Sequence, residues 1–175
     1  FRSVMIENDM LAKLDLALLP NVVKNFDEQY RRFLLDTNMT YSVPYAFSMT
    51  GLAYVKNKTP AGFKHTNSVE IIKDAAFKGR ICLLNDMREL IGCALKQNGY
   101  SLNSTNINEL TIATDTVIDW KRYTVKFDNE QYKTGLMSGE FLCVMGYNSD
   151  ILQVMDESPE LDIMFFIPDS GSTCC

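Results

Sequence analysis

Two carboxylates, Asp86 and Glu89, follow a short apolar segment that begins at Gly79. If that segment is a buried strand and a helix begins at Asp86, both side chains lie in the first helical turn, on one face. Two such carboxylates can hold an ammonium group through charge-assisted hydrogen bonds. The same pattern is typical of a capping box, and spacing alone favours that interpretation. Because a carboxylate has more acceptor positions than one cap uses, both roles are compatible.

Aromatic residues stand at the ends of predicted extended segments. Tyr45 and Phe47 lie in one such segment, and Tyr147 ends another. Aromatic faces can enclose an alkyl chain and attract its terminal cation. Core packing is the more common role for any one aromatic residue. The sequence therefore offers three aromatic candidates for a site that binds an organic cation, with packing as the alternative.

The residue types and motifs of this chain give little support for an enzyme. The single histidine, His65, lies in a polar, turn-like stretch, where a solvated surface histidine is the better interpretation. The GxSxG, GxxxxGK[ST] and HExxH motifs and a glycine-rich dinucleotide fingerprint are absent. A cysteine-dependent enzyme of an α/β class stays open as a minor alternative.

The cysteines indicate neither a disulfide framework nor a zinc site. Their number is odd, they show no CxxC spacing, and no histidine cluster accompanies them. Cys82, Cys93 and Cys143 lie within apolar segments, which predicts that they act as small buried hydrophobic residues. The terminal pair, Cys174 and Cys175, has no interpretation from the sequence.

Length and charge limit the class of protein. A chain of 175 residues with 46% hydrophobic residues can form one domain with an ordinary core. The net charge of −5, without a basic run interleaved with aromatic residues, argues against nucleic acid as a partner and mildly favours cationic ligands. No apolar run approaches the ~20 residues of a membrane helix. We therefore expect no membrane insertion by this chain.

Short apolar segments alternate with segments of helical spacing along most of the chain. The predicted strands are 79–84, 123–127, 141–147 and 163–167. The predicted helical segments are 68–76, 87–98, 106–120 and a last one of about two turns from 148, and 131–138 is predicted as a short helix or a turn. This alternation predicts an α/β domain with a mostly parallel sheet flanked by helices. Because such sheets bind ligands beyond the carboxyl ends of their strands, residues 85–89 and 146–150 are the expected site.

The first third of the chain is less regular. Apolar spacing over 3–19 predicts a helix that ends before Pro20, and 21–40 reads as a loop with short helical turns. Residues 41–55, which contain Pro44 and Gly51, predict two extended pieces joined at a bend.

Four blocks in this order resemble the polyamine-binding proteins of bacterial ABC importers. The blocks read TYSVPYAFSMTGLAYVKNK, FKGRICLLNDMRELIGCALKQNGYSLNSTN, SGEFLCVMGYNSDI and DIMFFIPDSGS. The second block is the most specific, and the resemblance extends from about Met10 to Gly171. It implies a two-lobed clamp of the periplasmic-binding-protein type II class, whose lobes are joined by crossover segments near Tyr45 and Pro168.

The resemblance also implies a domain division and a set of ligand-binding residues. Residues 1–44 would be the end of the first lobe and the approach to the hinge, 45–167 the second lobe, and 168–175 the return crossover. Asp86 and Glu89 match the acidic residues that hold polyamine amines. Tyr147 and Phe47 stand where the family usually has tryptophan, and the predicted ligand-binding set is completed by Tyr45 and Thr50 of the crossover block.

The function implied is capture of spermidine or putrescine and its delivery to the membrane permease of an ABC importer, without a cofactor, without nucleic acid and without catalysis. The location implied is periplasmic or otherwise extracytoplasmic, with any export signal or lipid anchor ahead of Phe1. A binding lobe for another small cationic solute, used as a sensor or interaction module without transport, is the alternative from a different class.

Overall fold

The computed structural model describes residues 2–33 and 36–173, in two compact units. The N-terminal unit comprises residues 1–47 and the sheet unit comprises residues 48–175. Cys174 and Cys175, the end of the predicted return crossover, lie outside the described residues. Among the described residues, no helix has both the length and the apolar character needed to cross a membrane.

The N-terminal unit contains short helices joined by irregular chain. Its elements are helix α1 (Arg2–Glu7), a 3₁₀ turn (Leu16–Leu18), helix α2 (Pro20–Asn25) and a second 3₁₀ turn (Glu28–Phe33). The prediction of one helix over 3–19 is wrong. Asp9 adopts a left-handed conformation, with φ of 51°, which a continuing helix does not allow, and the backbone N–H of Leu14 donates to Thr40 instead of to the preceding turn.

Five strands form the single sheet of the sheet unit. They are β1 (Thr50–Val55), β2 (Ile81–Leu83), β3 (Thr124–Phe127), β4 (Cys143–Tyr147) and β5 (Ile163–Phe166), in the order β3-β2-β4-β1-β5. β2 pairs in parallel with β3 and β4, whereas β1 pairs antiparallel with β4 and β5. Four strands therefore point one way, which confirms the mostly parallel sheet, and β1 alone runs against them.

Four helices accompany the strands of the sheet unit. They are α3 (Met87–Gln97), α4 (Ile107–Lys121), α5 (Tyr132–Ser138) and α6 (Asn148–Glu157). Each coincides with a predicted segment to within one residue at its C-terminal end or lies inside it, and Gly99 follows α3 with φ of 80°, as a C-terminal cap requires. α3 packs on α4, while α5 and α6 contact β4. The predicted α/β class is confirmed.

The core of the sheet unit lies between this sheet and its helices. Every residue of β1 is buried, because other strands flank β1 on both sides and its side chains pack into the core. The largest fully buried side chains include Trp120, Tyr132, Phe77 and Phe141. Cys82, Cys93 and Cys143 are buried free thiols, which agrees with their prediction as small hydrophobic residues.

Candidate ligand-binding site

The carboxyl ends of four strands meet at one edge of the sheet. β2, β3, β4 and β5 all end there, and the antiparallel β1 begins there. The edge carries Thr50, which opens β1, Tyr147, which ends β4, and the loop from β2 to Asp86. Ligands of open α/β sheets bind outside the carboxyl ends of the strands. This edge is therefore the candidate site, as the sequence predicted.

Asp86 occupies the N-cap of α3. Its Oδ1 accepts hydrogen bonds from the backbone N–H groups of Arg88, at 2.8 Å, and Glu89, at 3.0 Å. Both bonds fall on one oxygen, and no described residue donates to Oδ2. Asp86 therefore caps α3 through Oδ1. Its Oδ2 can still accept a hydrogen bond, and the side chain is half-buried.

Glu89 is placed differently from Asp86, although the two lie one helical turn apart. Its side chain is only 4% exposed. Its Oε2 accepts hydrogen bonds from the hydroxyls of Thr50, at 2.6 Å, and Thr173. The pKa of neighbouring Cys93 is raised to about 12 by burial and, to a smaller extent, by the charge of Glu89. Glu89 therefore contributes a buried negative charge held by hydroxyl donors, with little surface of its own.

Tyr147 lies at the same edge and is tied to the helices behind it. It faces Thr50 in the ladder between β1 and β4, and its side chain is half-buried. Its backbone N–H donates to the hydroxyl of Tyr132, at 3.3 Å, and that hydroxyl donates to Oδ2 of Asp150, at 2.5 Å. Burial, and then the hydrogen bond to Asp150, raises the pKa of Tyr132. The strand end is thus held by a buried network.

The loop from β4 into α6 is fixed to the chain that enters β1. The backbone N–H of Asn148 donates to the carbonyl of Met49, and the N–H of Met49 donates to Oδ1 of Asn148, both at 2.9 Å. The start of β1 and the end of β4 are therefore locked together just beyond their last ladder pair, Thr50 and Tyr147.

Tyr45 and Phe47 belong to the N-terminal unit. The side chain of Tyr45 is fully exposed, and that of Phe47 is 41% exposed. The ring of Phe47 lies 5.5 Å from that of Tyr30. The sheet edge thus brings together Thr50, Asp86, Glu89 and Tyr147, whereas the two crossover aromatics are described in a separate unit.

Sequence reasoning missed Thr173 and Tyr132. Thr173 had no local signal, because its partner Glu89 lies 84 residues earlier. Tyr132 was not recognised because an aromatic residue in a short helix reads as core. Asn148 lies within the range 146–150 that the sequence predicted as part of the site, and its bonds to Met49 are typical of an asparagine between a strand and a helix.

Neither a metal cluster nor a histidine-centred catalytic group is found among the described residues. No group of three or more histidine, cysteine or acidic side chains could hold a metal ion there. His65 is exposed, and its ring nitrogens lie 3.1 Å from the hydroxyl of Tyr54 and 2.7 Å from Oδ1 of Asn67. His65 is a surface histidine, as predicted.

One family model matches nearly the whole chain. The family model of bacterial extracellular solute-binding proteins matches residues 3–174. That match spans all four sequence blocks on which the resemblance was based.

Curated relatives are similar over most of this chain. A putrescine/cadaverine-binding protein of Pseudomonas aeruginosa is 31% identical over 153 residues, which cover 85% of this chain and 43% of the relative. The spermidine/putrescine-binding periplasmic protein of Escherichia coli is 25% identical over 161 residues, covering 92% of this chain and 45% of that protein. The chain therefore spans about half the length of the curated relatives it matches.

Solved structures share the fold. The TpPotD lipoprotein of Treponema pallidum superposes with a TM-score of 0.87 at 33% identity, covering 100% of this chain and 56% of that one. The substrate-binding protein PotD of a spermidine/putrescine ABC transporter from Streptococcus pneumoniae has a TM-score of 0.79 at 19% identity, covering 97% and 51%. The latter likeness concerns the fold alone. Together they confirm the predicted periplasmic-binding-protein fold class.

Proposed function

We propose that this chain, which belongs to the family of bacterial extracellular solute-binding proteins, supplies the second lobe and hinge segments of a polyamine-binding protein. In this proposal the two-lobed protein captures spermidine or putrescine outside the cytoplasm and delivers it to the permease of an ABC importer. Residues 1–44 end the first lobe, 45–167 form the second lobe, and 168–175 return toward the first. The names of the relatives, which bind putrescine, cadaverine or spermidine, support this ligand class.

One observation carries the proposal for the ligand. Asp86 presents a carboxylate at the carboxyl end of β2, and its Oδ2 accepts no hydrogen bond from the described residues. An ammonium group of a polyamine would bond to this oxygen, while Oδ1 keeps the helix cap. The pairing is charge-assisted, so it is among the stronger hydrogen bonds available to a protein.

Glu89 and Tyr147 would complete the part of the site that lies on the sheet unit. Glu89 adds a second negative charge one turn from Asp86, in surroundings where burial strengthens its field. Tyr147 offers a half-buried ring at the end of β4, against which a methylene chain can lie. Thr50 contacts Glu89 directly and acts in this proposal through that carboxylate.

The proposed ligand-binding residues also include two aromatic residues of the crossover segment. Tyr45 and Phe47 are exposed aromatic side chains in the segment that precedes β1. An exposed aromatic face can contact an alkyl chain and attract its terminal cation. Ligand binding by Tyr45 and Phe47 is therefore part of the proposal.

The proposal describes binding without catalysis. The chain has one histidine, His65, and its ring nitrogens lie near a tyrosine hydroxyl and an asparagine oxygen. The thiols of Cys82, Cys93 and Cys143 have pKa values raised by burial to about 12, so they are not nucleophilic near neutral pH.

Isothermal titration of the two-lobed protein tests the function. We expect spermidine or putrescine to bind and a neutral osmolyte such as trehalose not to bind. Asp86→Asn should weaken polyamine affinity about tenfold or more, because asparagine keeps the cap but loses the charge. Glu89→Gln should also weaken it. A wild-type protein that binds neither polyamine would overturn the ligand and leave Asp86 as a helix cap.

A further inference from the structure

Glu89 lies in a buried polar cluster formed by three segments distant in sequence. Glu89 itself comes from α3, Thr50 from the start of β1, and Thr173 from the chain that follows β5. All three side chains are at most 6% exposed. A buried carboxylate is tolerated only when hydrogen-bond donors compensate for lost hydration. The two hydroxyls provide that compensation.

Both hydroxyls donate to the same carboxylate oxygen, Oε2. Thr50 Oγ1 lies 2.6 Å from it, and Thr173 Oγ1 is its second donor. Two donors that approach one oxygen from different segments restrict the side-chain torsions of Glu89 more strongly than one donor does. The direction of the carboxylate therefore depends on where Thr50 and Thr173 lie.

Thr50 and Thr173 are also joined to each other through the backbone. The N–H of Thr50 donates to the carbonyl of Thr173 at 3.3 Å. The hydroxyl of Ser172 lies within hydrogen-bonding distance of the carbonyls of Thr50 and Thr173, and it has one proton for the two. The segment after β5 is thus attached to the first residue of β1 at the position where both reach Glu89.

Gly92 of α3 lets the segment after β5 approach this closely. A Cβ built on Gly92 would lie 3.2 Å from Cγ2 of Thr173 and 2.5 Å from a methyl carbon of Leu102. A side chain at this position, one turn further along the helix, would overlap Leu102 and crowd the methyl group of Thr173.

We propose that Thr50 and Thr173 are positioning residues for Glu89, and that through them the two segments predicted to cross between the lobes set the orientation of a ligand-binding carboxylate. The inference rests on the proposed function, because it assigns Glu89 to the polyamine site. It gives the crossover segments a role in affinity, because loss or displacement of either threonine hydroxyl changes the donors on Glu89.

Two substitutions of Thr173 distinguish the effect of its hydroxyl from the effect of its methyl group. Thr173→Val keeps the shape and removes the donor, whereas Thr173→Ser keeps the donor. In the two-lobed protein, spermidine affinity should fall about tenfold or more in Thr173→Val, as expected for loss of a hydrogen bond to a charged group, and stay within about twofold of wild type in Thr173→Ser. Thermal unfolding of both variants shows whether the fold is retained.

A double-mutant cycle with Glu89→Gln distinguishes positioning from a general structural effect. If Thr173 acts through Glu89, Thr173→Val should weaken spermidine binding in the wild-type background and have little further effect in the Glu89→Gln background. The same holds for Thr50→Val. An equal loss in both backgrounds would overturn the proposal, as would wild-type affinity in Thr173→Val.

Failure of the inference is distinguishable from failure of the proposed function. If the wild-type protein binds no polyamine, the proposed function fails first and the inference with it. If the wild type binds spermidine and Asp86→Asn weakens it, but neither threonine variant does, the function stands and the positioning role is wrong.

Discussion

The hydroxyl of Tyr132 lies 2.5 Å from Oδ2 of Asp150, although the tyrosine side chain is fully buried. The same hydroxyl accepts the backbone N–H of Tyr147 at 3.3 Å. One buried oxygen therefore connects α5, the first turn of α6 and the last residue of β4. This contact holds the strand end at which the candidate site lies.

Removal of that hydroxyl should destabilise the protein. Tyr132→Phe leaves the N–H of Tyr147 and one oxygen of Asp150 without their partner, which typically costs about 1–3 kcal/mol. Tyr123→Phe is the matched control, because Tyr123 is half-buried and its hydroxyl has no described hydrogen bond. Urea unfolding should give a clearly lower free energy of unfolding for Tyr132→Phe alone. Equal values for the two variants would mean that the network contributes no stability.

The buried thiols should make stability fall at alkaline pH. Burial raises the pKa of Cys93 and Cys143 to about 12, whereas an unfolded chain loses thiol protons near pH ~8.5. Below that pH both states hold the protons and the thiols contribute no pH dependence. Above it the unfolded state binds fewer protons, so the free energy of unfolding decreases as pH rises.

Urea unfolding under reducing conditions at pH 7.5, 8.5 and 9.5 measures this slope. Cys143→Ala should lower stability at every pH, because it leaves a cavity, and should also reduce the slope above pH ~8.5. A slope identical to that of the wild-type protein would show that Cys143 is not protonated differently in the folded and unfolded states.

Two substitutions of Asp86 distinguish the contribution of its helix cap to stability from that of its charge. Asp86→Ala removes the acceptor for two backbone N–H groups and should cost about 1 kcal/mol of stability, whereas Asp86→Asn should be close to neutral. Asp115→Ala serves as control, since Asp115 is an exposed residue within α4 and removing it leaves no cap unsatisfied. Thermal melts of the three variants check this. Stability loss in Asp86→Asn comparable to that in Asp86→Ala would contradict it.

An aromatic ring at position 147 should matter for affinity. Tyr147→Leu keeps an apolar side chain but removes the ring face, and we expect spermidine affinity to fall about fivefold or more. Tyr147→Phe and Tyr147→Trp should stay near wild type, because both retain a ring. Titration calorimetry of the two-lobed protein gives the comparison. If the Tyr147→Leu variant binds spermidine as well as the wild-type protein does, Tyr147 serves core packing and is not part of the site.

Local patterns predicted most of the sheet unit. The strand at 79–84, the helix from Met87 and its C-terminal glycine follow from spacing and composition, because helix caps and apolar periodicity act over a few residues. Asp86 was predicted both as a cap and as a ligand residue, and the cap is observed. The prediction of a helix over 3–19 was wrong because apolar periodicity carries no information about the left-handed conformation of Asp9 or the hydrogen bond from Leu14 to Thr40.

The sequence by itself thus determined the α/β class, the family resemblance and the carboxylate pair at the end of β2. Only the tertiary structure decided that Glu89 is buried, that β1 runs against its neighbours, and that Thr50 and Thr173 donate to one oxygen. These donors lie 39 residues before and 84 residues after Glu89. A hydrogen bond between residues so far apart in sequence produces no recognisable local pattern. It forms only after the strands have paired and brought their ends to one edge of the sheet.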